Sequence, residues 1–374
     1  MLRVVTSPPD KVMRVGDEDE LTSRLTPQDA DQIAEIFQTP LTGAYTWNYT
    51  ESDKKLQKLY RLGKERGWNA ETDIDWTRGI DRTAKPATSG TENPYRDWAP
   101  FVALSDKEQV AFGWHMKVWA ISQFLHGEQG ALLVASQLVS CAPTHDGKLY
   151  AAAQTFEEAR HVEVFSRYLT QQAGFMYPVN RHLKALLDKI LTDPRWDLKF
   201  IGMQLIIESL ALAAFNVQKV TTADPILRDL LELVLRDEAR HVAFGVSYME
   251  QFVRTLSTRE IEERAFFAFE ACRVMRERIV PTDVYEHFGW DAEEGRRRFL
   301  TAGQMDQFRN LLFTRIMPNL AKVGLLPDAV QGRYEELGLM QFATLPSDAD
   351  IDWAELSKPL PGYENDAPGK KLRA

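Results

Sequence analysis

Glu158-Ala159-Arg160-His161-Val162 and Glu238-Ala239-Arg240-His241-Val242 are the same five residues written twice, eighty positions apart. Residues three apart on a helix share a face. Each copy therefore sets a carboxylate oxygen beside an imidazole nitrogen, a donor pair suited to a first-row metal. A single Glu-x-x-His is commonplace on a surface helix, but this repeat reaches further. Glu128 stands thirty residues before Glu158, and Glu208 thirty before Glu238, so three positions share one offset. Even the followers agree: Ala131 and Leu132 after Glu128, Ala211 and Leu212 after Glu208. The pattern describes two helix pairs facing each other across a pseudo-twofold axis.

Burial sharpens the inference. Glu208 lies in Met203-Gln204-Leu205-Ile206-Ile207-Glu208-Ser209-Leu210-Ala211-Leu212, which is apolar nearly all round. Such a helix belongs at the centre of a core. An unpaired carboxylate there costs several kcal/mol or is forced to protonate. Glu128 is placed similarly, though more mildly. Four carboxylates and two imidazoles converging in a core require a large positive charge, and two metal ions supply it. Glu157 and Asp237 each precede a His by four residues, and a metal-bound His usually donates its other N–H to a carboxylate. Each is thus a candidate acceptor for the His of its own helix, Asp237 ahead of Glu157. Arg160 and Arg240 could pair with these acids across the helices. Ala131, Ala135, Ala211 and Ala214 lie near the ligands and could open a substrate cavity, or simply allow close helix packing.

These residues need long helices to carry them. Periodicity predicts four, over about 105–140, 147–173, 195–220 and 225–256. The connections hold Pro143, Gly147, Pro178, Pro194 and Pro225. No run alternates long enough for a sheet, so the fold class is all-α, a four-helix core with additions. Further helices are expected near 258–279, 291–299 and 302–323. Before the core, 17–38 and 51–66 could be helical and 84–96 reads as loop. Trp47, Trp68, Trp76 and Trp98 suggest a wrapping segment that packs aromatics on the main body. The expected organisation is a wrap over 1–104, the core over 105–256, accessory helices over 257–344 and an extended, Pro-rich tail over 345–374. Arg296 to Arg298 read as a solvated helix face.

Composition bounds the function. Of 374 residues, 44% are apolar and 26% charged, an ordinary globular balance. The net charge of −9 argues against nucleic acid or an anionic membrane as partner. No charge-free apolar run reaches the ~20 residues of a membrane span. Phe200 to Phe215 comes nearest and carries Gln204 and Glu208. Cys141 and Cys272 are the two cysteines, too few for a disulfide framework or a thiolate knuckle. With no signal-like N-terminal stretch, a reducing, cytoplasmic location is expected.

At the six candidate ligands the chain resembles the ferritin-like, carboxylate-bridged diiron superfamily, whose pattern is a Glu from two helices and Glu-x-x-His from two others. The resemblance covers about residues 105–256 and implies a ferritin-like bundle holding two Fe ions, or Mn/Fe. It also implies activation of O2 as co-substrate, with Glu158 and Glu238 as bridges, to hydroxylate, desaturate or otherwise oxidise an organic molecule. An external electron donor (ferredoxin or reductase) and a homodimer follow from the same resemblance. The acid-Glu-x-Arg-His form looks most like bacterial monooxygenase hydroxylases, acyl-carrier-protein desaturases and the ribonucleotide reductase small subunit. Two departures matter. The reductase small subunits carry a radical Tyr one turn after the first His, where this chain has Phe165, with Tyr168 the nearest later Tyr. Arylamine N-oxygenases add a His one turn before the last Glu, where this chain has Val234. A reductase-like radical or ligand-binding oxidase, and a ferroxidase or iron-handling protein, are the alternatives. The two hundred residues beyond a minimal bundle weigh against storage.

Overall fold

The computed structural model describes residues 39, 43–49, 53–81, 93–301 and 303–350, with no strand among them. The bundle is made by α2 (Asp106–Cys141), α3 (His145–Arg167), α5 (Trp196–Thr221) and α6 (Pro225–Val253). Helix α1 (Lys54–Glu65) precedes them and α4 (Arg181–Thr192) joins α3 to α5. Beyond the bundle come α7 (Thr258–Arg278), α8 (Thr282–His287), α9 (Ala292–Thr301), α10 (Gly303–Val323) and α11 (Asp328–Glu336).

The helix ends follow from capping chemistry. Ser105 and Glu108 form a reciprocal capping box that starts α2. Thr144 accepts from Gly147 N at the start of α3. Asp224 accepts from Ile226 N and Leu227 N, with Pro225 in the first turn where no N–H is missed. Helix α4 differs from the expectation of a plain connection. Pro178 and Pro194 flank it like a loop, but Leu183, Leu186, Leu187, Ile190 and Leu191 make a buried helical stripe between them.

Two apolar clusters fill the interior, and the direction of each helix can be read from them. Helix α2 runs from one cluster (Phe112 to Leu125) through Glu128 into the other (Ala131 to Cys141). Helix α3 returns, from Tyr150 through Glu158 and His161 to Phe165. Helix α5 starts in the same cluster as α3, at Leu198, and ends at Phe215 in the cluster where α3 ends. Helices α3 and α5 are therefore parallel, and the chain between them must cross the length of the bundle, which is the task of α4. Helix α6 reverses again, from Ile226 to Val253. One long crossover in a four-helix bundle is the ferritin-like topology, and it sandwiches a charged layer between two apolar ones.

Helix α5 is apolar and long enough to cross a membrane, yet 83% of its most apolar window is buried inside the protein. It is a core helix. Its turns over Phe200–Ile207 are π-helical, as is Tyr168–Ala173 after α3. Asn319 of α10 bonds Ser209 Oγ (3.0 Å) and Asp348 (2.8 Å), pinning 347–350 against α5. Trp68 and Trp98 are buried as expected of the wrap, but Trp47 is 77% exposed. Its neighbours Tyr45 and Tyr49 are exposed too, on an extended segment that is held to the core through Ala44 N and Ser140 O (3.0 Å). Arg296 to Arg298 pair with Glu277, Glu294 and Asp97 on the surface. The expectations for 17–38, most of 84–96 and 351–374 fall outside the described residues.

Helices α5 and α6 touch backbone to backbone at Gly245, where an added Cβ would stand 2.5 Å from Gln204 Cβ and 3.3 Å from Gln204 C. Neither atom belongs to a flexible end. Gly245→Ala is expected to destabilise the fold by about 1–3 kcal/mol, read as a lowered denaturation midpoint.

Candidate metal centre

Glu128 from α2, Glu158 and His161 from α3, Glu208 from α5, and Glu238 and His241 from α6 meet at mid-bundle, each 4% exposed or less. Glu128, Glu158, His161 and Glu238 offer donor atoms within 4.8 Å of one another, and so do Glu158, Glu208, Glu238 and His241. Glu158 and Glu238 belong to both sets. His161 Nδ1 lies 3.2 Å from Glu128 Oε2, 3.2 Å from Glu158 Oε2 and 2.9 Å from Glu238 Oε1. His241 Nδ1 lies 3.1 Å from Glu158 Oε1 and 3.5 Å from Glu238 Oε2. Donors bound to one octahedral metal at bond lengths of ~2.1 Å stand about 3 Å apart. The spacing fits two ions. Orphaned donors say the same: Glu158 Oε2, both carboxylate oxygens of Glu238 and His241 Nδ1 are buried without a hydrogen bond, a costly state unless a cation completes them.

The outer nitrogens are held across the bundle. His161 Nε2 meets Asp237 Oδ2 of α6 at 3.2 Å, and His241 Nε2 meets Glu157 Oε2 of α3 at 2.8 Å. This corrects the expectation of an acceptor four residues back on the same helix. A carboxylate there cannot reach round to the Nε2 edge once Nδ1 points inward, whereas the facing helix presents its acid directly. The arginines are reciprocal as well: Arg160 donates to Asp237 (2.8 Å) and Arg240 to Glu157 (2.6 Å) and Asp237.

Sequence reasoning missed two residues here. Trp68, just after α1, donates its indole N–H to Asp237 Oδ2 (2.7 Å), accepts from Arg160 at its carbonyl (3.2 Å) and stacks near the His161 ring. The wrapping segment is thus part of the site. Four tryptophans before residue 100 were the available signal, and nothing in spacing singled out this one. Gln154, one turn before Glu158, donates to Glu158 Oε1 (2.9 Å) and Glu208 Oε1 (3.2 Å). Its counterpart under the offset of eighty is Val234, fully buried and apolar.

Among the other candidates, Ala131 and Ala135 are buried in helix packing. Phe165 is fully buried against Phe215 (5.6 Å) and Phe124 (6.0 Å) one turn beyond His161. Tyr168 donates to Asp224 at the start of α6 (2.5 Å). A cavity of about 170 Å³ lies on the outer side of Phe124, with Ala214 in its wall, while Ala131, Ala135, Phe165 and Ala211 do not line it.

The buried acids and imidazoles shift one another's proton affinities. Burial, then the nearby charges of Glu238 and Glu158, raises the Glu208 pKa well above the carboxylate range. Burial and the charge of Glu238 do the same for Glu128. Glu238 goes the other way, to about 2, because the neighbouring Glu208 carboxyl and the charge of His241 outweigh burial. Both imidazoles are raised well above 6.5 despite burial, His161 by its bonds to Asp237 and Glu128, His241 by the charges of Glu158 and Glu238.

Residues 49–324 match the family described as p-aminobenzoate N-oxygenase AurF. The chain belongs to this family. It is a non-haem oxidoreductase of the ferritin-like diiron superfamily, built to use O2 to oxidise an organic molecule. The matching family lies within the superfamily that the six candidate ligands resemble. Solved structures similar to the chain include an R2-like ligand-binding oxidase with aerobically reconstituted Mn/Fe cofactor, at 17% identity and a TM-score of 0.46, covering 75% of this chain and 94% of that one. A tyrosine-to-phenylalanine mutant of such an oxidase is similar at 18% identity and 0.44, covering 71% and 95%. No curated protein matches.

Metal must displace protons held by Glu128, Glu208, His161 and His241, all of which keep them to higher pH than usual. Loading is therefore expected to release protons, with affinity rising as pH rises, as followed by titration in weakly buffered solution. Asp237→Asn, which removes the charge shared by His161, Arg160, Arg240 and Trp68, is expected to weaken metal binding about 10- to 100-fold, as counted by metal analysis after dialysis.

Proposed function

We propose that the chain is an oxygenase in which Glu128, Glu158, His161 and Glu238 would hold one iron and Glu158, Glu208, Glu238 and His241 a second. The observation that carries this reading is the membership of Glu158 and Glu238 in both donor sets. Iron bound there supplies Lewis acidity and redox chemistry toward dioxygen. The protein's own part is positional. Asp237 and Glu157 accept hydrogen bonds from the Nε2–H groups of His161 and His241, which turns each Nδ1 lone pair inward. Arg160 and Arg240 hold those acids in place, and the charge of Arg240 holds the Asp237 carboxyl well below the usual carboxylate range. Gln154 orients Glu158 and Glu208, and the two apolar clusters exclude water from the layer.

The family's name makes small ring-bearing amines the first substrates to screen, with N-oxygenation as the reaction. Val234 favours a second reading, oxidation at carbon, because no imidazole stands where arylamine N-oxygenases carry their extra ligand. Neither reading has an electron source in this chain, so a separate reductase or ferredoxin is its partner. A homodimer is the assembly we expect. The free, buried Cys141 and Cys272 suit the reducing cytoplasm.

Glu208→Ala is expected to lose at least one of two metals per chain and all O2-dependent turnover; a variant that keeps two by elemental analysis sinks the ligand assignment. In the wild type loaded with Fe(II), O2 consumption should depend on added reductase and rise with a suitable amine. Assembly into a shell that mineralises iron would sink the oxygenase reading in favour of storage.

A further inference from the structure

Helix α1 carries the opposite charge to the chain it belongs to. Residues 54–66 hold six basic side chains, Lys54, Lys55, Lys58, Arg61, Lys64 and Arg66, against one acid, Glu65, in a chain of net charge −9. All six are exposed. Among the described residues only Arg61 has an acid within 4.0 Å, Glu65 at 3.8 Å, and both partners are exposed. Such a pair is weak, so the charge of the helix is turned to solvent. Lys54 and Lys58, four apart, and Arg61 and Lys64, three apart, set like charges side by side, which weakens a helix. Leu56 and Leu59 are buried on the underside and seat α1 without help from the cations.

The helix sits behind both candidate ligand histidines. It packs on α3 and α6, the two helices that carry Glu-x-x-His. A Cβ on Gly63 would stand 3.0 Å from Glu157 Oε1, and Glu157 Oε2 holds His241 Nε2 at 2.8 Å. Trp68, two residues past the basic stretch, donates to Asp237 (2.7 Å), which meets His161 Nε2 at 3.2 Å. Each imidazole is thus one acid away from the α1 segment. Phe156 on α3 is 66% exposed beside it, with the Arg160 guanidinium 5.3 Å from its ring and 4.9 Å from that of Trp68. The 170 Å³ cavity lies elsewhere, for no residue of α3 or α6 lines it.

We propose that α1, with Phe156 at its edge, is the docking surface for a small, acidic, one-electron carrier protein. The charge identifies the partner. A chain of net charge −9 repels an acidic protein except where this helix presents its cations, which sets both the encounter rate and the orientation. Phe156 supplies the apolar contact that a specific interface needs at its core. The position identifies the task, because a carrier seated there stands behind both imidazoles and leaves the cavity side free. Each docking oxidises the carrier by one electron and reduces one metal ion by one, so two dockings take a pair of Fe(III) ions to Fe(II). No atom passes between the partners. The proposal rests on the oxygenase reading, whose electron source it places on the surface.

Stopped-flow mixing of the oxidised, iron-loaded full chain with a reduced, acidic plant-type ferredoxin tests it, with dithionite as a reductant that needs no docking. One variant combines Lys55→Gln, Lys58→Gln and Arg61→Gln. A control combines Arg259→Gln, Arg273→Gln and Arg297→Gln, an equal change of charge at exposed positions of α7 and α9. At low salt the α1 variant should take electrons from ferredoxin about 10- to 100-fold more slowly than wild type, and the control within about 2-fold of it. The gap should close at about 0.5 M salt, where screening removes the steering. Calorimetry with oxidised ferredoxin should show the same loss as affinity, apart from any turnover. Phe156→Ala should cost about 5- to 10-fold in affinity at every salt concentration. Two metals per chain and normal reduction by dithionite, with ferredoxin binding and transfer unchanged in the α1 variant, overturn the docking surface and leave the centre standing. So does a single-stranded oligonucleotide or a phosphatidylserine vesicle that binds wild type more tightly than ferredoxin does and is lost in the α1 variant. A chain that takes up no metal overturns the centre and the proposal with it.

Discussion

Charge buried in a dry layer is the constraint that governs the whole molecule. Glu128, Glu157, Glu158, Glu208, Asp237 and Glu238 are all within a few per cent of complete burial, and so are His161 and His241. Arg160 and Arg240 offset two of those acids. The remaining negative charge can be neutralised only by protons or by metal. The two apolar clusters explain why such an arrangement survives: each of the four bundle helices is anchored above and below the layer, so the mutual repulsion of the carboxylates cannot push the helices apart.

The pseudo-twofold relation holds at the ligands and fails around them. The offset of eighty pairs Gln154 with Val234 and Phe124 with Gln204. One side of the centre therefore carries the Gln154 and Gln204 amides, and the other the mutually packed Phe124, Phe165 and Phe215. A duplicated ligand set thus stands in unlike surroundings, polar on one face and aromatic on the other.

The six candidate ligands were legible because metal ligation imposes a period on the chain, and that period is visible without knowing how the helices pack. The partners of His161 and His241 were not, since they lie across the bundle and depend on which edges of α3 and α6 face each other. Trp68 is 169 positions from the acid it serves, a distance over which local patterning says nothing. Helix α4 was concealed for a different reason: two prolines mark its ends as they would mark a loop, and only the leucine stripe between them distinguishes the two. Among the long helices, the starts of α2 and α6 came close to expectation because Ser105 and Asp224 cap them.

The π-helical turns at Phe200–Ile207 lead directly into Glu208. A π turn takes up more residues than an α turn for the same advance, so it can absorb an inserted residue without moving the ligand beyond it. The frame from Glu208 onward is thereby insulated from changes upstream in α5. The entry side of Glu208 can thus differ in length and side-chain chemistry from that of Glu128, which sits in a regular α2. The wide turns act as an expansion joint that lets one flank of the centre change without disturbing the geometry of its ligands.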